Sequence, residues 1–111
     1  MNPQLLDTIV ATYRRHGWTL RRVLLCPDSI ADLAGDTKAK LAGAQLIESD
    51  FDAMWFARPS HAGREAWELR LFSETPYAMF EAFEAGETEM QREEKRIELE
   101  MRMRLQASPK L

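Results

Sequence analysis

Four side chains near the middle of the chain have the types and spacing for metal-assisted chemistry. Asp50 and Asp52 stand two residues apart in one apolar–polar alternation, and Glu68 and Arg70 stand two apart in the next. Residues two apart on a strand share a face, so a hairpin would gather all of them on one side of a sheet. Carboxylates from two neighbouring strands could hold Mg²⁺, which takes oxygen ligands and keeps several waters, and a metal-bound water is a hydrolytic nucleophile. Arg70 would face a phosphate anion as a permanent cation. The same residues also suit a solvated polar face, with cross-strand pairs such as Asp52 with Arg70 or Arg58 with Glu68.

The order helix, strand, Asp-bearing strand, Glu-x-basic strand, helix over residues 2–85 resembles the PD-(D/E)xK nuclease arrangement. That resemblance implies metal bound by an acid on one strand and by an acid-x-Lys on the next. The chain departs from it at Arg70, where the family carries lysine; an arginine stays protonated and is a poor proton acceptor.

Other chemistry has less behind it. His16 and Cys26 flank one predicted strand at opposite ends, too far apart for a nucleophile and its base. They read as a helix-capping histidine and a buried cysteine, and His61 falls in a loop. Two histidines and one cysteine do not make a closed zinc site without carboxylates. The five glycines are scattered, so no phosphate-cradling loop is present and no cofactor is expected. The formal net charge of −3 argues against nucleic-acid binding by general phosphate neutralisation. Charge is nonetheless uneven: Arg14, Arg15, Arg21 and Arg22 stand against Asp7 in residues 1–27, while residues 45–86 are acidic. A single cysteine excludes an internal disulfide and fits a reducing, cytoplasmic setting. The N-terminus lacks the pattern of a secretory signal, and no apolar run is long enough for a membrane span.

The elements that must position these residues are legible in part. Asn2 is a good N-cap and Pro3 a good first helical residue; Leu5, Leu6, Ile9, Val10 and Tyr13 then recur at helical spacing until Gly17. Residues 18–25 read as a strand stopped by Cys26-Pro27-Asp28, and residues 28–44 as two short helical turns. Residues 45–58 read as one long strand, or as two joined by a bend, and residues 66–73 as its antiparallel partner. Thr75-Pro76 then opens a predicted helix through Tyr77, Met79, Phe80 and Phe83, closed by Gly86.

Residues 87–111 form a charged C-terminal segment. Apolar and charged residues alternate strictly from Arg96 to Leu105, as on a strand, yet the summed helix propensity of its Glu, Arg, Met and Leu favours a helix. As a helix it has two apolar sides. Ile97, Met101 and Leu105, with Met90 upstream, form one stripe; Leu99 and Met103 lie roughly 200° away. The last residues, from Ala107, should fray.

The expected fold is therefore α+β in the order αβββαα: an N-terminal helix, a three-stranded, mostly antiparallel sheet and two C-terminal helices, in one domain spanning residues 1–111. Such a sheet would leave Met54, Phe56 and Phe72 on an open face. The leading functional expectation is an interaction module without catalytic activity, a homodimer or the partner of another protein, using Met54, Phe56, Phe72, Leu99 and Met103. The rival is a metal-dependent hydrolase using Asp50, Asp52, Glu68 and Arg70. A small-ligand binder walled by Trp55 and Trp67 is a third reading.

Overall fold

In the computed structural model, which describes residues 2–33 and 35–107, a five-stranded mixed sheet lies between helices on both faces. Helix α1 (Pro3–Arg15) starts where the local chemistry requires: the Asn2 side chain accepts from the backbone N–H of Gln4 and Leu5 at 3.0 and 3.2 Å. It stops at Gly17, whose φ of +85° suits a residue without a Cβ. Strand β1 (Thr19–Leu25) follows, then the short helices α2 (Pro27–Ala31) and α3 (Gly35–Lys40). The 45–58 segment is two strands, β2 (Gln45–Glu48) and β3 (Ala53–Pro59), broken at Ser49–Asp52. Strands β4 (Glu65–Leu71) and β5 (Ala78–Phe83) and helix α4 (Glu89–Ala107) complete the chain; residues 108–111, part of the expected frayed end, lie outside the described region.

The sheet order is β2-β1-β3-β4-β5, with β1 and β2 parallel and every other pair antiparallel. This overturns the expected three-stranded sheet with two C-terminal helices, although the α+β class stands. Two segments account for the difference. Residues 45–48 pair alongside β1 instead of extending β3, and residues 78–83 form a strand where a helix was expected. Ala, Met, Glu and Phe in that segment are good or tolerable helix formers, but the free edge of β4 supplies a hydrogen-bonding partner that propensity does not count. In β5 the better-covered side chains are Met79, Glu81 and Phe83, while Phe80 stands 58 % exposed on the opposite face.

Two apolar layers result. On one face Leu6, Ile9 and Val10 of α1 pack over Leu20, Val23, Leu25, Met54 and Phe56, and Tyr13 stacks flat on Phe56 at 3.9 Å between ring centroids. On the other, Leu99 and Met103 of α4 pack over Ala53, Trp55, Trp67, Leu69 and Phe83. Strands β1 and β3 carry apolar residues on both faces, so each face needs its own helical layer. Among the described residues no helix is long and apolar enough to cross a membrane.

Candidate functional site

The β3–β4 hairpin puts Met54 and Phe56 opposite Arg70 and Glu68, on the face that parity predicts. It does not assemble the four polar residues into a site. Asp50 lies outside β3 and pairs with Arg104 of α4 at 2.8 Å. Asp52 serves as a remote cap for the start of α2, accepting from the Cys26 backbone N–H at 2.8 Å and from the Ser29 hydroxyl at 2.5 Å. Glu68 accepts a hydrogen bond from the Tyr13 hydroxyl. Burial and this acid neighbour push the Tyr13 phenol well above its usual range. Arg70 is buried and donates to the Leu71 carbonyl at 2.8 Å. The expected cross-strand pairs are replaced as well, because Arg58 donates to the His16 carbonyl and lies over the Trp18 ring. No group of three or more His, Cys, Asp or Glu side chains that could hold a metal ion occurs among the described residues.

The residues expected to form an open interaction face are largely enclosed. Met54 and Phe56 are covered by α1, and Phe72 packs at the margin of the same layer. Leu99 and Met103 are 5 % and 0 % exposed, against the opposite sheet face. The outer stripe of α4 is the other set: Met90, Ile97, Met101 and Leu105 are between 49 % and 77 % exposed. The helix is two-sided as its sequence suggests, with the sides interchanged. Their assignment is set by Arg92 and Arg96, which extend the Leu99–Met103 face onto Trp67 and Phe83.

These arginines belong to a feature that the sequence does not display. The register of β1 against β3 slips between Leu20 and Arg22, leaving Arg21 without an opposite residue. Such a bulge re-aims a side chain. Two consecutive residues, Arg21 and Arg22, thereby line the same cleft of about 320 Å³ with Glu65 and Trp67 of β4 and with Glu89, Arg92 and Arg96 of α4. A regular strand would have sent the two arginines to opposite faces.

Within the cleft, Arg22 makes a two-pronged pair with Glu93 at 2.8 and 2.9 Å, which raises the arginine's pKa and lowers that of the acid. Arg92 donates to Glu65 at 2.9 Å and to the Glu84 carbonyl at 2.8 Å. Arg96, only 2 % exposed, lies 4.4 Å above the Trp67 ring and donates through both terminal nitrogens to one oxygen of Glu89, at 2.7 and 3.1 Å. Burial, then the positive charge of Arg22, presses its pKa down. The Nε atoms of both Arg92 and Arg96 are buried without a hydrogen-bond partner. Arg21 sits over Trp67 at 5.3 Å and makes no ion pair among the described residues.

Beyond the cleft, Glu100 accepts from the Trp55 indole at 2.8 Å. Burial holds its carboxyl above the ordinary glutamate value of 4.5, although the indole bond and Arg22 act in the opposite direction. A raised carboxyl pKa makes the folded state the tighter proton binder. Glu100 therefore adds stability below its unfolded value, and that contribution is lost as pH rises through the folded one. Glu100→Gln keeps an acceptor for Trp55 and removes the buried charge. Its melting midpoint at pH 7 is expected to rise by a few degrees. The advantage should shrink on acidification toward pH 4.5, the ordinary glutamate value, as thermal melts across that range would record. Comparison with family models, curated proteins and solved structures finds no match to this chain.

Proposed function

We propose that this protein is a non-enzymatic interaction module that forms a homodimer through the outer stripe of α4. The carrying observation is the row Met90, Ile97, Met101 and Leu105, exposed on the side of the helix opposite its packed face. A second copy of the same helix, running antiparallel, fits that row in pattern and in charge. Antiparallel helices bring like flanks together, so Glu98 of one copy meets Arg102 of the other and the reverse. Within one chain those two side chains already pair at 2.7 Å, on the flank of the stripe, and can exchange partners across the seam. Antiparallel alignment also sets the first turn of each helix, which carries Glu89, against the last turn of its partner, which carries Arg104. A seam of one helix per copy is short, which implies a concentration-dependent dimer rather than an obligate one.

Light-scattering mass measured after gel filtration over a range of loading concentrations tests this. The wild type should approach twice the monomer mass at high concentration. Ile97→Glu combined with Met101→Glu should remain monomeric with an unchanged circular-dichroism spectrum. A wild type that stays monomeric at its highest soluble concentration overturns the proposal.

A further inference from the structure

We propose that the arginine cleft between β1, β4 and α4 binds a phosphate monoester of a small molecule, and that Glu89 holds the anion's place when none is bound. The cleft is a distinct feature from the outer stripe of α4, and nothing in it depends on self-association.

The fold collects positive charge in this cleft. A bulge in β1 turns Arg21 toward Arg22, and α4 supplies Arg92 and Arg96 one turn apart. Burying a guanidinium beside another is costly unless anionic groups offset it. Glu65 and Glu93, both only partly exposed, are firmly engaged with Arg92 and Arg22. Glu89 differs from them. It is 72 % exposed, sits in the first turn of α4, and offers a single oxygen to the most deeply buried arginine. A side chain so exposed is itself readily hydrated, so the cost of its release falls on Arg96, and an incoming anion offsets that cost.

Once Glu89 is released, four guanidinium groups face Glu65 and Glu93, with Glu100 also acting on Arg22 and Arg96 from its buried position, and the cleft keeps a positive excess. A phosphate monoester carries about −1.5 to −2 at neutral pH and several strong acceptor oxygens. Its negative charge therefore suits the vacated site, and its oxygens can take up the nitrogens that Glu89 releases as well as Arg21. The orphaned Nε atoms of Arg92 and Arg96 are further donors, at a place where buried donors are ordinarily satisfied. The guanidinium groups approach from a strand and from a helix, an arrangement better suited to a tetrahedral anion than to a planar carboxylate. At about 320 Å³ the cleft has room for a phosphoryl group with a small organic substituent.

Isothermal titration at constant ionic strength, balanced with chloride, provides the test, using inorganic phosphate, glycerol 2-phosphate and malonate as probes. Both phosphates should bind, the ester at least as tightly as the free ion and both more tightly than malonate. Glu89→Gln should tighten phosphate binding about tenfold and Arg21→Gln should weaken it about tenfold, the scale of one charge-assisted contact. Arg14→Gln, an exposed change on α1, should leave it unaltered. If the cluster serves only to hold α4 in place, Glu89→Gln lowers the melting midpoint and creates no gain in affinity. That result, or an absence of phosphate binding in both wild type and Glu89→Gln, overturns the proposal. Preference for malonate, or exclusion of the ester, overturns the assignment to a phosphate monoester.

Discussion

Met103→Glu is expected to remove a large part of the protein's stability. The side chain is 0 % exposed and packed among Trp55, Leu69 and Leu99 in the layer under α4. A carboxylate placed there must either ionise in apolar surroundings or take up a proton. With the lost packing, the cost is at least ~4 kcal/mol, against a total stability of about 5–15 kcal/mol for a domain of this kind. Met101→Glu, two positions earlier and 57 % exposed, is expected to change stability by no more than ~0.5 kcal/mol. Urea unfolding followed by circular dichroism compares the two directly. Similar midpoints for both variants would mean that α4 does not present the faces described for it.

Trp55→Ala is the second large effect. Trp55 is 0 % exposed on the central strand β3, edge-on to Trp67 with ring centroids 5.9 Å apart. Truncating a core Trp to Ala costs about 3–5 kcal/mol through lost burial and the cavity left behind. Here the loss should fall at the upper end, since Glu100 is also deprived of the indole N–H that it accepts from. Trp55→Phe helps to separate the two contributions, because it keeps most of the packing and removes the donor. Its destabilisation in urea should fall near the worth of one hydrogen bond to a charged group, about 1.5–3 kcal/mol. Equal losses for the two variants would show that the hydrogen bond dominates.

What could be read from the sequence follows the range of the interactions involved. Helix α1 is legible because Asn2, Pro3 and Gly17 act within a few residues of their own positions. The β3–β4 hairpin is legible because strand parity is a local rule, and the grouping of Met54 and Phe56 with Glu68 and Arg70 follows from it. Strand β5 is not, since what makes Ala78–Phe83 extended is the unpaired edge of β4. The start of α4 had a usable signal: Thr88 and Gln91 form a reciprocal cap, each side chain accepting from the other's backbone N–H.

The inner face of α4 was hidden for a different reason. Pattern reading counts arginine as polar, whereas Arg96 is buried against aromatic rings and makes the Leu99–Met103 side the broader of the two. The polar residues of β3 and β4 were legible as a set on one face, but not in their use. Each was taken by a partner distant in sequence, Tyr13 for Glu68 and Ser29 for Asp52. The cleft depends on a one-residue slip in β1, which leaves no trace in residue types.

The parallel pairing of β1 with β2 has a consequence for how the molecule opens. Strands β3, β4 and β5 succeed one another as hairpins, so their contacts close short loops and can form early. Strand β2 reaches β1 only after the chain has passed through α2 and α3, and it contributes just the four residues Gln45–Glu48 at the sheet's edge. Its amide protons should therefore exchange with solvent through small local openings, while those of β3 wait for global unfolding. Gln45 borders the arginine cleft. A margin of the molecule that opens locally thus lies beside its cluster of four arginines.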